Sequence, residues 1–161
     1  MPSTPASLNV SYISPDWRGV ALSNFTLSPF VLDDTLLASV EGFIQGIKFP
    51  EGDPRRVQAF QSSAWDAKKV GDQADRSAVH WAGQAIPFGS AEHHQLVGRA
   101  VRTRIMQSDG LRSVLVSTQG MTLTHDTGHG SEPAVTSLPA SVFCRLLTEL
   151  RDDLLADGDA T

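Results

Sequence analysis

The sequence predicts an α+β fold, mainly α-helical with a small antiparallel sheet. Three observations carry that expectation. Six segments show helical signals, as capping residues, apolar residues at helical spacing, or both, whereas alternating apolar and polar residues occur only in short stretches. Strands and helices do not follow one another in regular βαβ order, which argues against a parallel doubly wound sheet. The chain also shows no internal repeat, low-complexity tract or evident linker, so its 161 residues are expected to form one domain over 1–161.

In chain order, LNVSYI alternates enough to form a strand. SPFVLDDTLLA reads as a hairpin turning at Asp33-Asp34. Ser39 is then placed to cap a helix, with Glu41 in the first turn where the helix dipole favours a carboxylate. That helix should end near Phe49, because Pro50 disfavours helical geometry before it and Gly52 follows. Asp53 caps DPRRVQAFQ with Pro54 at the first helical position. Ser62 or Ser63 caps AWDAKKVG, and the polar segment from Gly71 to Gly89, with Trp81 at its centre, reads as an ordered connection.

Ser90 caps the longest clear helix, SAEHHQLVGRAVRTRIMQ, in which Val97, Ala100, Val101 and Ile105 follow helical spacing and His93 and His94 are expected at the surface. Ser108 caps DGLRSVLVST, MTLTH alternates as a strand, and THDTGHGSEPAVTS is a loop. SLPASVFCRLLTELRDDLL is an amphipathic closing helix, followed by an acidic tail over 156–161.

Composition sets outer limits on function. At 40% hydrophobic and 19% charged, the chain is globular in character. Net charge is −5, and all of the imbalance lies in residues 121–161, which hold two Lys/Arg against seven Asp/Glu. This argues against a general nucleic-acid-binding or membrane surface. Neither a secretory signal nor a transmembrane run is expected, and the single cysteine, Cys144, suits a reducing compartment, so a cytoplasmic location is expected.

The chemistry concentrates on SVEGFIQGIKFP. Val40, Phe43 and Ile47 line one helical stripe, and Leu37, Glu41, Ile44 and Lys48 line its neighbour. Glu41 and Lys48 lie two turns apart, about 10 Å of rise, too far for an i,i+4 ion pair but able to converge on something between them. Either both reach water at the edge of the stripe, or they form a pocket wall in which desolvation makes the lysine a nucleophile.

LSNF at 22–25, SPFVLDD at 28–34, SVEGFIQGIKF at 39–49 and AKKVG at 67–71 together resemble the NADAR family, which includes the YbiA-like N-glycosidases. Trp81, VGRAVRTRI, GLRSVLVST and LLTELRDDL extend the resemblance over about residues 20–155. It implies a YbiA-like fold and cleavage of an N-glycosidic bond on ribose, in ribosylamino-pyrimidine phosphates or in guanine carrying ADP-ribose. Lys48 would form a Schiff base with C1, and Glu41 would act as general acid and base. Ser23, Asn24, Phe25, Gln45 and Trp81 would contact substrate, with Asn24 as a polar contact and Phe25 and Trp81 as aromatic surfaces. No cofactor or metal is implied.

Among Arg55, Arg56, Lys68, Lys69 and Arg76, one or two would meet phosphate, with Lys69 taken as the candidate. The chain departs from the family pattern in three places. Gly42 follows the glutamate where histidine is common, Arg104-Ile105 replaces a Lys-Phe pair, and the late D-x-x-W-G segment is absent. Asp126 is the candidate replacement acid, with His125 or His129 nearby in the loop. The partner is expected to be a nucleotide or an ADP-ribosylated nucleic acid. The competing class is a module that binds ADP-ribose or a nucleotide without hydrolysis.

Overall fold

The computed structural model describes residues 6–159, so the first five residues and the last two of the expected tail lie outside it. Its elements run β1 (Ser7–Asn9), α1 (Trp17–Leu22), β2 (Phe30–Leu32), β3 (Thr35–Leu37), α2 (Val40–Gly46), α3 (Pro54–Phe60) and α4 (Ala64–Gly71). Then follow β4 (Ala78–Trp81), β5 (Gln84–Pro87), α5 (Ala91–Met106), α6 (Asp109–Val116), β6 (Thr122–Thr124) and α7 (Ala140–Asp159). The fold is α+β and dominated by helix, as the sequence predicts.

Capping explains most helix starts. The side chains of Ser39, Ser90 and Ser108 accept hydrogen bonds from the backbone N–H groups of Gly42, His93 and Leu111, each relieving one unpaired amide of a first turn. Asp53 does the same for α3, where Pro54 opens the helix. Asp16 likewise caps α1, a six-residue helix that the sequence did not signal because it is too short to display a period.

Three two-stranded pairings complete the framework. β2 and β3 form the expected antiparallel hairpin, with Asp33 and Asp34 at φ 47° and 63° in its two-residue turn. β4 and β5 form a second hairpin across Ala82-Gly83, inside the segment expected to be a connection. β1 and β6 pair in parallel, Leu8 opposite Leu123, tying the N-terminal strand to the segment between α6 and α7.

The main core gathers Phe43 and Ile47 from around α2, Val97, Ala100, Val101 and Ile105 from α5, and Phe143, Leu147 and Leu150 from α7. Each such side chain taken from water contributes about 1.5–3 kcal/mol. A smaller cluster of Phe49, Ala59 and Val70 fastens α3 and α4 beneath α2. α2 is therefore buried on every side, and each of its seven residues is buried.

Two expectations need correction here. The acidic end is helical through Asp159 rather than frayed from 156. Leu154 packs on the core, and Arg151 donates to the carbonyls of Thr118 and Met121, which holds the preceding turn. His93 is fully buried, not at the surface, because the turn through Phe88 and Gly89 folds over the start of α5. Among the described residues, no helix is long and apolar enough to cross a membrane.

Candidate active site

Burial of α2 rules out the reading in which Glu41 and Lys48 reach water at the edge of the stripe. Glu41 is 7% exposed, Gln45 5% and Lys48 7%, so neither charged group escapes to water along the stripe edge. Gln45 stands between them. Its Nε2 donates to Glu41 Oε1 at 2.6 Å, and its Oε1 accepts from Lys48 Nζ at 2.7 Å. The one-turn spacings i,i+4 and i,i+3 thus join residues two turns apart through a single amide.

The sequence surrounding this bridge is shaped to admit it. A Cβ on Gly71 would stand 1.7 Å from Gln45 Oε1 and 2.5 Å from its Cδ, so only glycine lets the end of α4 approach the bridge. Gly42 has a different reason. A Cβ there would lie 2.5 Å from the Ala59 carbonyl oxygen and 2.6 Å from that of Ser62. The departure from histidine at position 42 therefore reflects close packing of α2 on the end of α3.

Electrostatics move both end groups toward neutrality. Burial raises the Glu41 carboxyl above its ordinary range, opposed by the Gln45 hydrogen bond and by the positive fields of Lys48, Lys68 and His125. Burial also lowers Lys48 to about 8, helped by the charge of Arg76 and opposed by Glu41 and Asp72. A shift of the carboxyl toward its protonated form favours general acid catalysis, and a shift of the amine toward its neutral form favours nucleophilic attack.

LSNF borders the bridge. The carbonyl of Asn24 accepts the Glu41 N–H at 2.9 Å. Asn24 Oδ1 is a buried acceptor with no partner among the described residues, which leaves it free for a ligand hydroxyl. Ser23 Oγ instead accepts from the Phe25 N–H and serves the turn. Arg104, buried under this loop, donates to the carbonyls of Ala21, Leu22 and Ser23. Arg104, the second departure, thus holds the end of α1 and the start of the Asn24 loop.

Lys48 Nζ lies 5.8 Å from the centre of the Phe88 ring, and Phe88 packs on His93 at 4.9 Å. His93 Nδ1 accepts from the Gly89 N–H, so its proton sits on Nε2, which has no partner among the described residues. Burial, with the charges of His94 and Lys48, holds His93 neutral by lowering it to about 4. No pattern in the sequence distinguishes His93 from a surface histidine; the signal is tertiary.

The remaining candidates are engaged in other contacts. Trp81 is buried against Phe43 and Phe60 under the Arg56 guanidinium, and its indole N–H donates to Asp33 at 2.9 Å, so it builds the core rather than an open stacking face. Arg55 pairs with Asp53, and Arg56 donates to the carbonyls of Phe49 and His80. Lys69 is exposed, and the α4 cation whose field reaches both Glu41 and Lys48 is Lys68, one residue earlier. Asp126 is exposed and does turn work: its Oδ1 accepts the Gly128 N–H, and its backbone is latched to the Asn9 amide. His129 meets the ring of Trp65 at 6.0 Å. No group of three or more His, Cys, Asp or Glu side chains is arranged for a metal among the described residues.

Comparison with known proteins places this geometry in context. A family model described as bacteriophage protein GP30.3 matches residues 16–152, which include every residue of the bridge and its borders. An uncharacterized 17.1 kDa protein from the Gp30-rIII intergenic region of Enterobacteria phage T4 is 32% identical over 144 residues, covering 86% of this chain and 93% of that one. The NMR structure of the E. coli protein YbiA matches with a TM-score of 0.68 at 21% identity, over 98% of this chain and 95% of that one. The architecture is thus YbiA-like.

Proposed function

We propose, from the premise that this chain belongs to the bacteriophage GP30.3 protein family and has a YbiA-like fold, that it is a divergent NADAR-type N-glycosidase. Its substrate is an ADP-ribosylated guanine or nucleotide, or a related ribosyl phosphate. The observation that carries the reading is the buried Glu41–Gln45–Lys48 chain, with its two ends moved in opposite directions toward their neutral forms.

The steps balance with water as the only co-reactant. Glu41 gives its proton to the ribose ring oxygen as the C1–O bond breaks, and the lone pair of the glycosidic nitrogen forms a C1=N iminium. Neutral Lys48 adds to C1 and loses a proton. The base nitrogen gains a proton and leaves, so a Schiff base remains between C1 and Lys48. Glu41, now a carboxylate, takes a proton from water as the oxygen adds to C1. Collapse of the carbinolamine returns the amine and frees an aldehyde that recloses to ribose. With Lys48 near 8, about a tenth of it is neutral at pH 7, against less than about a thousandth for an ordinary lysine. Asn24 Oδ1 suits a ribose hydroxyl, and Lys68 and Arg76 supply positive charge for phosphate.

Release of free base from an ADP-ribosylated guanine nucleoside, followed chromatographically, tests the reading. Wild type is expected to turn over, Lys48→Ala to stop, and Glu41→Gln to slow at least a hundredfold. Commitment of Asp126 to its own turn favours the second reading, a module that holds ADP-ribose or a nucleotide without cleaving it. Ligand binding without base release from any ribosylated substrate would select that second reading.

A further inference from the structure

Four aromatic rings from separate parts of the chain converge at the surface beside the bridge. Tyr12 lies 5.7 Å from Phe25, Phe25 lies 5.2 Å from Trp65, and Trp65 lies 6.0 Å from His129, the last two pairs edge to face. Tyr12 is 49% exposed and Trp65 47%, so nearly half of each large side chain faces water. Exposed rings gathered in one place, rather than scattered singly, point to a surface with a binding role.

The backbone is arranged to present it. Ala64 holds a left-handed φ of 49°, a strained conformation for an alanine, immediately before Trp65. Its N–H donates to the Phe25 carbonyl at 3.0 Å, which ties the start of α4 to the loop carrying Phe25.

Charge and position connect the patch to the site. Lys68, one turn beyond Trp65, places its ammonium 5.3 Å from the indole centre, and its field reaches both Glu41 and Lys48. Asn24, whose carbonyl receives the Glu41 N–H, directly precedes Phe25. A flat ligand on Trp65 is thus continuous with the bridge, with a cation at the junction. An indole matches a fused bicyclic ring in area better than a single ring, and stacking tolerates any polar edge pattern.

We propose that Trp65 offers a stacking face for a purine ring of the substrate, with Phe25 and Tyr12 as side walls, placed so that the attached ribose extends toward Lys48. This deepens the glycosidase reading and rests on it for the orientation of the ribose. The purine is either the base cleaved at C1 or, in an ADP-ribosyl group, the distal adenine.

Titration calorimetry on the full chain with GMP, UMP, ADP-ribose and ribose 5-phosphate tests the platform, with circular dichroism to verify folding of each variant. Wild type should bind GMP more tightly than UMP. Trp65→Ala should weaken GMP or ADP-ribose about tenfold, leave ribose 5-phosphate within twofold, and be partly restored by Trp65→Phe. Loss on GMP alone assigns the platform to the cleaved base, and comparable loss on ADP-ribose assigns it to the distal adenine as well. The proposal is overturned if wild type binds no purine nucleotide, if Trp65→Ala changes purine binding less than twofold, or if ribose 5-phosphate weakens equally. Because the readout is binding, purine stacking that depends on Trp65 in a protein without base release would leave the platform standing and defeat the glycosidase reading alone.

Discussion

Replacing Lys48 by methionine should make the protein more stable at neutral pH while ending its proposed chemistry. Holding Lys48 near 8 instead of 10.5 corresponds to about 3 kcal/mol against the folded state, the cost of a protonated amine in a buried position. Below pH 8 both folded and unfolded chains carry that proton, so the full cost is present. Between about 8 and 10.5 the unfolded chain still binds the proton and the folded chain does not, so stability rises with pH and the cost disappears.

Methionine fills similar volume without a charge, but leaves Gln45 Oε1 without its donor, which costs about 1–2 kcal/mol. The net gain is about 1–2 kcal/mol at pH 7, or about 2–8 °C in Tm for a chain of this size. Thermal unfolding of both proteins at pH 7 and pH 10 reads it directly: the difference should be largest at pH 7 and shrink toward zero or change sign at pH 10. A Lys48→Met protein less stable than wild type at pH 7, or a difference independent of pH, would refute the claim that the lysine is held against its own solvation.

Two other substitutions probe the supports of the site. Gly71→Ala places a methyl where Gln45 Oε1 stands, so base release should fall at least tenfold while Tm moves by only a few degrees, since alanine's better helix propensity offsets part of the clash; unchanged activity would mean that the bridge is dispensable. Arg104→Lys offers one ammonium to three carbonyls, and a urea titration should show a loss of about 2–3 kcal/mol. A loss under about 0.5 kcal/mol would remove Arg104 as the anchor of the Asn24 loop.

Much of the framework is legible in the sequence because it is locally encoded. Ser39, Asp53, Ser90 and Ser108 announce helix starts through side chains that bond two or three residues ahead, and Asp33-Asp34 announces a hairpin through its own backbone preference. The Glu41 and Lys48 spacing likewise points to something between them, and Gln45 is that group. What stayed hidden depends on contacts between distant segments. Trp65 is one exposed aromatic among polar neighbours until Tyr12, Phe25 and His129 are brought to it. His93 is an ordinary helix residue until Phe88 folds over it, and Arg104 is a surface-type residue until α1 ends against it. The β4–β5 hairpin was obscured because β5 is largely exposed and carries no apolar alternation.

The proposed chemistry turns on a covalent bond between Lys48 and the sugar. Wild-type protein mixed with an ADP-ribosylated guanine nucleoside and sodium borohydride, then digested for mass spectrometry, should yield a reduced ribosyl adduct on the peptide containing Lys48. Its formation should rise about tenfold per pH unit below 8 and level off above about 8, as the amine loses its proton. The adduct should disappear in Lys48→Ala. Turnover with no adduct on Lys48, or the same adduct on another lysine in Lys48→Ala, would contradict the account.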